Sequence, residues 1–184
     1  MARVLCIANQ KGGVGKTTTA VNLADALAKS DRRTLLVDLD PQCNATSALG
    51  AKAVDHHPLL MDEPLSDLQV GIHPDTLAVL PGSRNIDDVQ RMAASDETDR
   101  RHLLSRLATT HATFDTVVID CPPSLGRLTQ TALMASTEVL MPIQCEFFAM
   151  EGLTQMIEVI RDVMHSGTSQ LDFGGILLTM YDPT

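Results

Sequence analysis

The sequence predicts an α/β fold: a doubly wound, mostly parallel sheet with helices on both faces. Three observations predict it. Short apolar runs alternate with stretches of helical periodicity along the chain. Those runs are apolar at every position rather than at alternate ones, as in strands buried on both faces. Asn9, Asp38 and Asp120 close three of the runs, and parallel sheets gather ligands at the carboxyl ends of their strands.

The elements follow in chain order. Arg3 to Asn9 reads as a buried strand, and Gln10 to Gly15 as a glycine-rich turn. Lys16 to Lys29 is helical, with Ala20, Leu23, Ala24, Leu27 and Ala28 along one face. Thr34 to Val37 is a second strand ending at Asp38. Ala51 to Asp75, with several prolines and little periodicity, reads as loop with one helical turn. Leu77 to Leu80 is a strand stopped by Pro81-Gly82, and Arg84 to Thr110 is polar and helix-prone, read as two short helices. Thr116 to Ile119 and Val139 to Ile143 are further strands. Glu151 to Met164 is an amphipathic helix aligning Leu153, Ile157, Ile160 and Met164, and Phe173 to Thr179 is a last strand.

Composition narrows the classes. The 184 residues are enough for one domain, 1–184, with a sizeable core. Aromatics are 3% and Trp is absent, so that core must be aliphatic. A formal net charge of −9 does not steer the chain to nucleic acid, and the Arg100-Arg101 pair reads as a solvated helix face. No signal peptide is visible at the N-terminus, and no apolar run reaches the length of a membrane span. Cys6, Cys43, Cys121 and Cys145 are scattered without CxxC spacing and read as reduced thiols of a cytoplasmic protein, with Cys121 and Cys145 as buried small side chains. His56-His57 is a loop pair with no third ligand in view.

The central motif is Lys11-Gly12-Gly13-Val14-Gly15-Lys16-Thr17-Thr18, between a strand and a helix. It matches the end of the phosphate-loop pattern G-x-x-x-x-G-K-[ST], although Gln10 stands where the first glycine belongs. Glycines let backbone N–H groups turn toward phosphate oxygens, and the helix that follows directs its positive end to the same place. Lys16 would offset phosphate charge and the Thr17 hydroxyl would face Mg²⁺. Asp38, Asp40 and Asp120 offer the hard oxygens that Mg²⁺ prefers. Alternation would point Asp38 and Asp40 the same way. One such Asp would be read as a helix cap; three downstream of a phosphate loop do not favour that reading. Lys11, by spacing alone, is either a solvated loop lysine or a working cation.

With the second lysine, Lys11-Gly12-Gly13-x-Gly15-Lys16-Thr17 resembles the deviant Walker-A ATPases, and within them the ParA/Soj partitioning family. The resemblance is carried by Ala8-Asn9-Gln10, Thr17-Thr18-Thr19-Ala20 and Leu35-Leu36-Val37-Asp38-Leu39-Asp40-Pro41-Gln42. Further support comes from Val118-Ile119-Asp120-Cys121-Pro122-Pro123-Ser124, Pro142-Ile143-Gln144-Cys145-Glu146, Glu151-Gly152-Leu153 and Leu177-Leu178-Thr179-Met180-Tyr181-Asp182. It implies a P-loop ATPase fold that binds Mg²⁺ with ATP or ADP and hydrolyses ATP slowly. Asp120 resembles the Walker-B carboxylate, and Asp40 the carboxylate that orients attacking water. Asp38 is expected to support the Mg²⁺ shell. Lys11 is expected to cross a sandwich homodimer to the partner's phosphates. The family implies a ParB/Spo0J-like partner, non-specific DNA and a place at the nucleoid in the cytoplasm.

A MinD-like membrane-cycling ATPase is the alternative, but that branch usually carries Asn where this chain has Thr179. Amide-forming ligases of biotin or cobalamin synthesis form a third class. The chain ends just after a strand, so the C-terminal part of the family fold is expected to be missing. Weak DNA binding by these 184 residues is expected with it.

Overall fold

The computed structural model describes residues 2–73, 75–85, 87–88, 91–92, 97–109, 113–145, 149–167 and 169–182. Seven strands are described: β1 (Arg3–Ile7), β2 (Thr34–Asp38), β3 (Val70–His73), β4 (Leu77–Leu80), β5 (Thr116–Asp120), β6 (Glu138–Gln144) and β7 (Asp172–Thr179). They form one sheet in the order β3-β4-β2-β5-β1-β6-β7. Every pairing is parallel except β3 with β4. The described helices are α1 (Lys16–Lys29), α2 (Asn44–Ala48), α3 (Leu65–Leu68), α4 (Glu97–Thr109), α5 (Arg127–Met134) and α6 (Ala149–Met164). A 3₁₀ turn spans Pro58–Leu60.

Strand alternation feeds two cores. Val4, Cys6, Leu35, Val37, Val117 and Ile119 pack on one face with Leu103 and Leu107 of α4, Leu128 of α5 and Met156 of α6. Leu5, Ile7, Leu36 and Val118 pack on the other with Ala20, Ala24 and Ala28 of α1. The small alanines let α1 lie close to the sheet, which fixes where its N-terminus meets the strand ends.

Several elements depart from the sequence reading. The strand β3 was read as loop: it is a short edge strand containing Gly71, and Val70 is 40% exposed, so no apolar run marks it. Helix α5 was also missed. Its buried Thr129 and Thr131 interrupt the apolar pattern, and their hydroxyls donate to the Ser124 and Arg127 carbonyls at 2.8 and 2.9 Å. The five-residue α2 is too short for periodicity to show. Strand β1 ends at Ile7 rather than Asn9, because the Asn9 amide turns across to the Pro142 carbonyl at 2.6 Å. The polar stretch from 84 to 110 contains the single 13-residue α4, preceded by helical residues at 87–88 and 91–92; the remainder of that expected pair lies outside the described residues. Glu146 and the side chain of Glu151 also lie outside them.

Candidate functional site

Parallel pairing brings the strand ends into one line: Asp38 stands beside Asp120, and Asp120 beside Ile7 just before the loop. The loop leaves β1 through Asn9, whose Oδ1 accepts from the Lys11 N–H at 3.0 Å. Gly13 and Gly15 have φ of +74° and +88°, a left-handed geometry that favours glycine. Gly12 has no protein atom within 4 Å of where a Cβ would stand, so the fold's own packing does not demand glycine there.

Helix α1 begins at Lys16 with Gly15 as its cap and no side chain capping it. Its first intrahelical bond runs from the Thr19 N–H to the Gly15 carbonyl at 2.9 Å. The amides of Lys16, Thr17 and Thr18 therefore have no partner along the helix, which makes an anion-binding end. Lys16 is 6% exposed, and its ammonium donates to the Lys11 carbonyl at 2.9 Å, drawn back over the loop. Burial lowers its pKa, opposed by the charges of Asp120 and Asp40.

The three carboxylates have three different environments. Asp120 is fully buried, and neither of its oxygens has a hydrogen-bond partner of good geometry. Desolvation pushes its pKa up to about 7, with the nearby Asp38 and Asp40 adding to the rise and the Thr17 hydroxyl and Lys16 opposing it. A buried, unpartnered carboxylate is costly to the protein alone. It is the donor a hard cation would satisfy, with the Thr17 hydroxyl beside it. The residues present fit Mg²⁺ at this point.

Asp38 is held by its own fold. Its Oδ2 accepts from the Thr46 N–H at 2.8 Å and the Thr46 hydroxyl at 2.6 Å, and its Oδ1 from the Asp40 N–H at 3.2 Å. It thus caps α2 from a distance, the reading that three aspartates in sequence had outweighed. Gly82 makes room for it: a Cβ there would lie 3.1 Å from Asp38 Cγ. Desolvation raises the Asp38 pKa, and the Thr46 bonds work against the rise. Strand β2 ends at Asp38, so alternation does not extend to Asp40 as the sequence suggested. Asp40 sits in the following turn, 7% exposed, where its Oδ1 accepts from the Gln42 N–H at 2.9 Å.

Sequence reasoning gave no role to His57, which is buried behind this turn. Its Nδ1 accepts from the Leu59 N–H at 3.2 Å, so Nε2 is the donor to the Asp38 carbonyl at 3.0 Å. Burial lowers its pKa to about 4, which keeps the ring neutral for that role. Its own N–H donates to the buried Asp88 at 2.8 Å. The sequence marks Thr46 no more than His57, yet its hydroxyl also accepts from the Gly82 N–H at 2.9 Å. Nothing in a single sequence marks a tertiary partner 36 residues away. Lys11 is exposed at the rim of the loop. Cys6 and Cys121 lie side by side, Sγ to Sγ 3.4 Å, and the Cys6 contact with burial raises the Cys121 pKa, so these are packed thiols, whereas Cys145, expected to be buried, is exposed at the end of β6. Among the described residues no cluster of three His, Cys, Asp or Glu is arranged to hold a metal. No helix among them is long and apolar enough to cross a membrane.

The profile of the AAA domain family matches residues 2–173. The chain is similar to the chromosome partitioning protein ParA of Myxococcus xanthus (strain DK1622), 44% identical over an alignment of 190 positions that covers 99% of this chain and 66% of that protein. It is also similar to the sporulation initiation inhibitor protein Soj of Bacillus subtilis (strain 168), 40% identical over an alignment of 187 positions that covers 99% of this chain and 74% of that protein. It therefore spans about two thirds to three quarters of the length of these relatives. A cobyrinic acid a,c-diamide synthase from Mycobacterium smegmatis, solved with a bound ATP analogue and magnesium, superposes with a TM-score of 0.88 at 39% identity. That match covers 100% of this chain and 77% of the other.

Proposed function

Because the chain belongs to the ParA/Soj family of chromosome-partitioning P-loop ATPases, we propose that it is the nucleotide-responsive core of a partitioning switch. It binds Mg²⁺ with ATP, dimerises through the nucleotide-bearing face and hydrolyses ATP to ADP and phosphate. The observation that carries this reading is the pairing of a buried cation, Lys16, with the unpartnered carboxylate of Asp120 at the open end of a glycine-rich loop.

Each residue has a proposed part. The open amides of Lys16, Thr17 and Thr18, with the loop from Lys11 to Gly15, cradle the phosphates. Lys16 offsets their charge, exchanging the Lys11 carbonyl for a phosphate oxygen. Thr17 and Asp120 would hold the Mg²⁺, which when bound neutralises charge on the phosphates. Asp40 orients the attacking water with the carboxylate oxygen that the Gln42 N–H does not take. Asp38 is better suited to framing the turn than to ligating metal, since three protein donors already fill it. Lys11 at the exposed rim reaches the phosphates of a second copy, as an arginine finger does. A ParB/Spo0J-like partner and non-specific DNA at the nucleoid belong to the same proposal.

The test is ATP-dependent self-association. Light scattering should give a dimer with Mg²⁺-ATP and a monomer with Mg²⁺-ADP. Monomer under both, with nucleotide bound, would remove the switch.

The M. smegmatis structure favours a second reading, an amide-forming ligase. Among the described residues, one cavity of about 240 Å³ lies between α3 and α4, on the sheet face opposite α1. ADP release that requires ammonia and a carboxylic acid would establish this reading instead.

A further inference from the structure

The phosphate loop is anchored from the far edge of the sheet. Thr179, the last residue of β7, donates its hydroxyl to the Val14 carbonyl at 2.8 Å, across 165 residues of sequence. Its methyl group closes on the same peptide: a Cβ built on Gly15 would lie 3.5 Å from Thr179 Cγ2. The Thr179 backbone is itself fixed, because it pairs with Gln144 of β6 and its carbonyl accepts from the Cys145 N–H at 3.2 Å.

We propose that Thr179 is a positioning residue for phosphate binding, holding the Val14–Gly15 peptide in one orientation. This rests on the loop being a phosphate cradle. A trans peptide is planar, so its carbonyl and N–H point in opposite directions. With the Val14 carbonyl drawn to β7, the Gly15 N–H faces away from the strand and is available to an anion. Nothing local enforces that orientation. Gly15 carries φ of +88°, and glycine adopts either sign of φ at little cost. If the hydroxyl were lost, the peptide would be free to flip and present a carbonyl oxygen where a phosphate should bind. The hydrogen bond removes that alternative before the ligand arrives, which is preorganisation.

The consequence reaches beyond the loop. Strand β7 is an edge strand whose apolar side chains stand open, Ile176 at 45% and Leu178 at 62% exposure. A change in how β7 sits against β6 would be transmitted through Thr179 to the loop, although Thr179 is outside the loop motif.

Calorimetry with Mg²⁺-ADP on the wild type, Thr179→Val and Thr179→Ser tests this, with the Gly15 amide followed by ¹⁵N NMR. Thr179→Val keeps the shape and loses the donor. It should weaken ADP about threefold to tenfold, the worth of one such hydrogen bond. The Gly15 amide, shifted on ADP binding in the wild type, should move less in this variant. Thr179→Ser restores the hydroxyl and should recover both readouts even if it lowers stability slightly. If the wild type binds ADP and Thr179→Val binds it equally, the positioning role is wrong while the nucleotide site stands. If Thr179→Ser is as weak as Thr179→Val, the hydroxyl is not the cause and the proposal also falls. If the wild type does not bind ADP, the nucleotide reading itself fails, and this proposal fails with it.

Discussion

Substituting Asp120→Asn should stabilise the metal-free protein, and by an amount that depends on pH. The Asp120 carboxyl is fully buried with no hydrogen-bond partner of good geometry, and desolvation raises its pKa from 3.8 to about 7. Between those values the folded chain keeps a proton that the unfolded chain has released. The native state then binds more protons, so this group's contribution to stability falls as pH rises through the window. The shift corresponds to about 4 kcal/mol once pH exceeds the folded value, and to about 2 kcal/mol at pH 5. Asparagine is neutral throughout and nearly the same shape, so it escapes the cost. Asp25, Asp115 and Glu138 have lowered pKa values and act in the opposite sense, but they are common to both proteins and cancel in the difference. Urea unfolding in EDTA from pH 5 to 8.5 would measure it. The advantage of Asp120→Asn should grow by about 3 kcal/mol across that range. An advantage independent of pH, or a destabilisation at pH 8, would show that Asp120 is not a carboxylate left uncompensated by the fold.

Thr46→Val removes a hydroxyl that donates to Asp38 at 2.6 Å and accepts from the Gly82 N–H at 2.9 Å. With both partners buried, chemical denaturation should report a loss of about 2 to 4 kcal/mol, and a loss under 1 kcal/mol would show the bonds are replaceable. Lys11→Ala should keep nucleotide affinity within about threefold, since the proposal gives the phosphate charge within one chain to Lys16, yet abolish the ATP-dependent dimer that light scattering should report for the wild type. A dimer that persists in that variant would return Lys11 to the role of a solvated loop residue.

The legible part of this protein was the part built from repetition and close spacing. Strands such as Leu35–Val37 and Val117–Ile119 are buried on both faces and so declare themselves by unbroken apolarity. Lys16 to Lys29 declares itself by its alanine face, and the loop by its glycines. What stayed hidden lacks such a signature. Strand β3 is short and exposed, and α5 buries threonines whose hydroxyls bond back to the backbone. Within the site, spacing grouped Asp38, Asp40 and Asp120 as equals. They separate only through partners distant in sequence: Thr46 fills Asp38, the Gln42 N–H takes one side of Asp40, and no donor of good geometry reaches Asp120. His57 was invisible for the same reason, since its importance lies in a carbonyl 19 residues earlier.

The central claim is that the loop from Gly12 to Thr18, with Lys16 and Asp120, is built for a magnesium-bound nucleotide. Titration calorimetry of the folded chain with ADP, with and without Mg²⁺, tests it most directly. Binding should be measurable, should tighten with Mg²⁺ in the wild type, and should lose that Mg²⁺ dependence in Asp120→Asn. A well-folded chain that gives no binding heat over a range of temperatures, or one whose affinity for ADP ignores Mg²⁺, would contradict it.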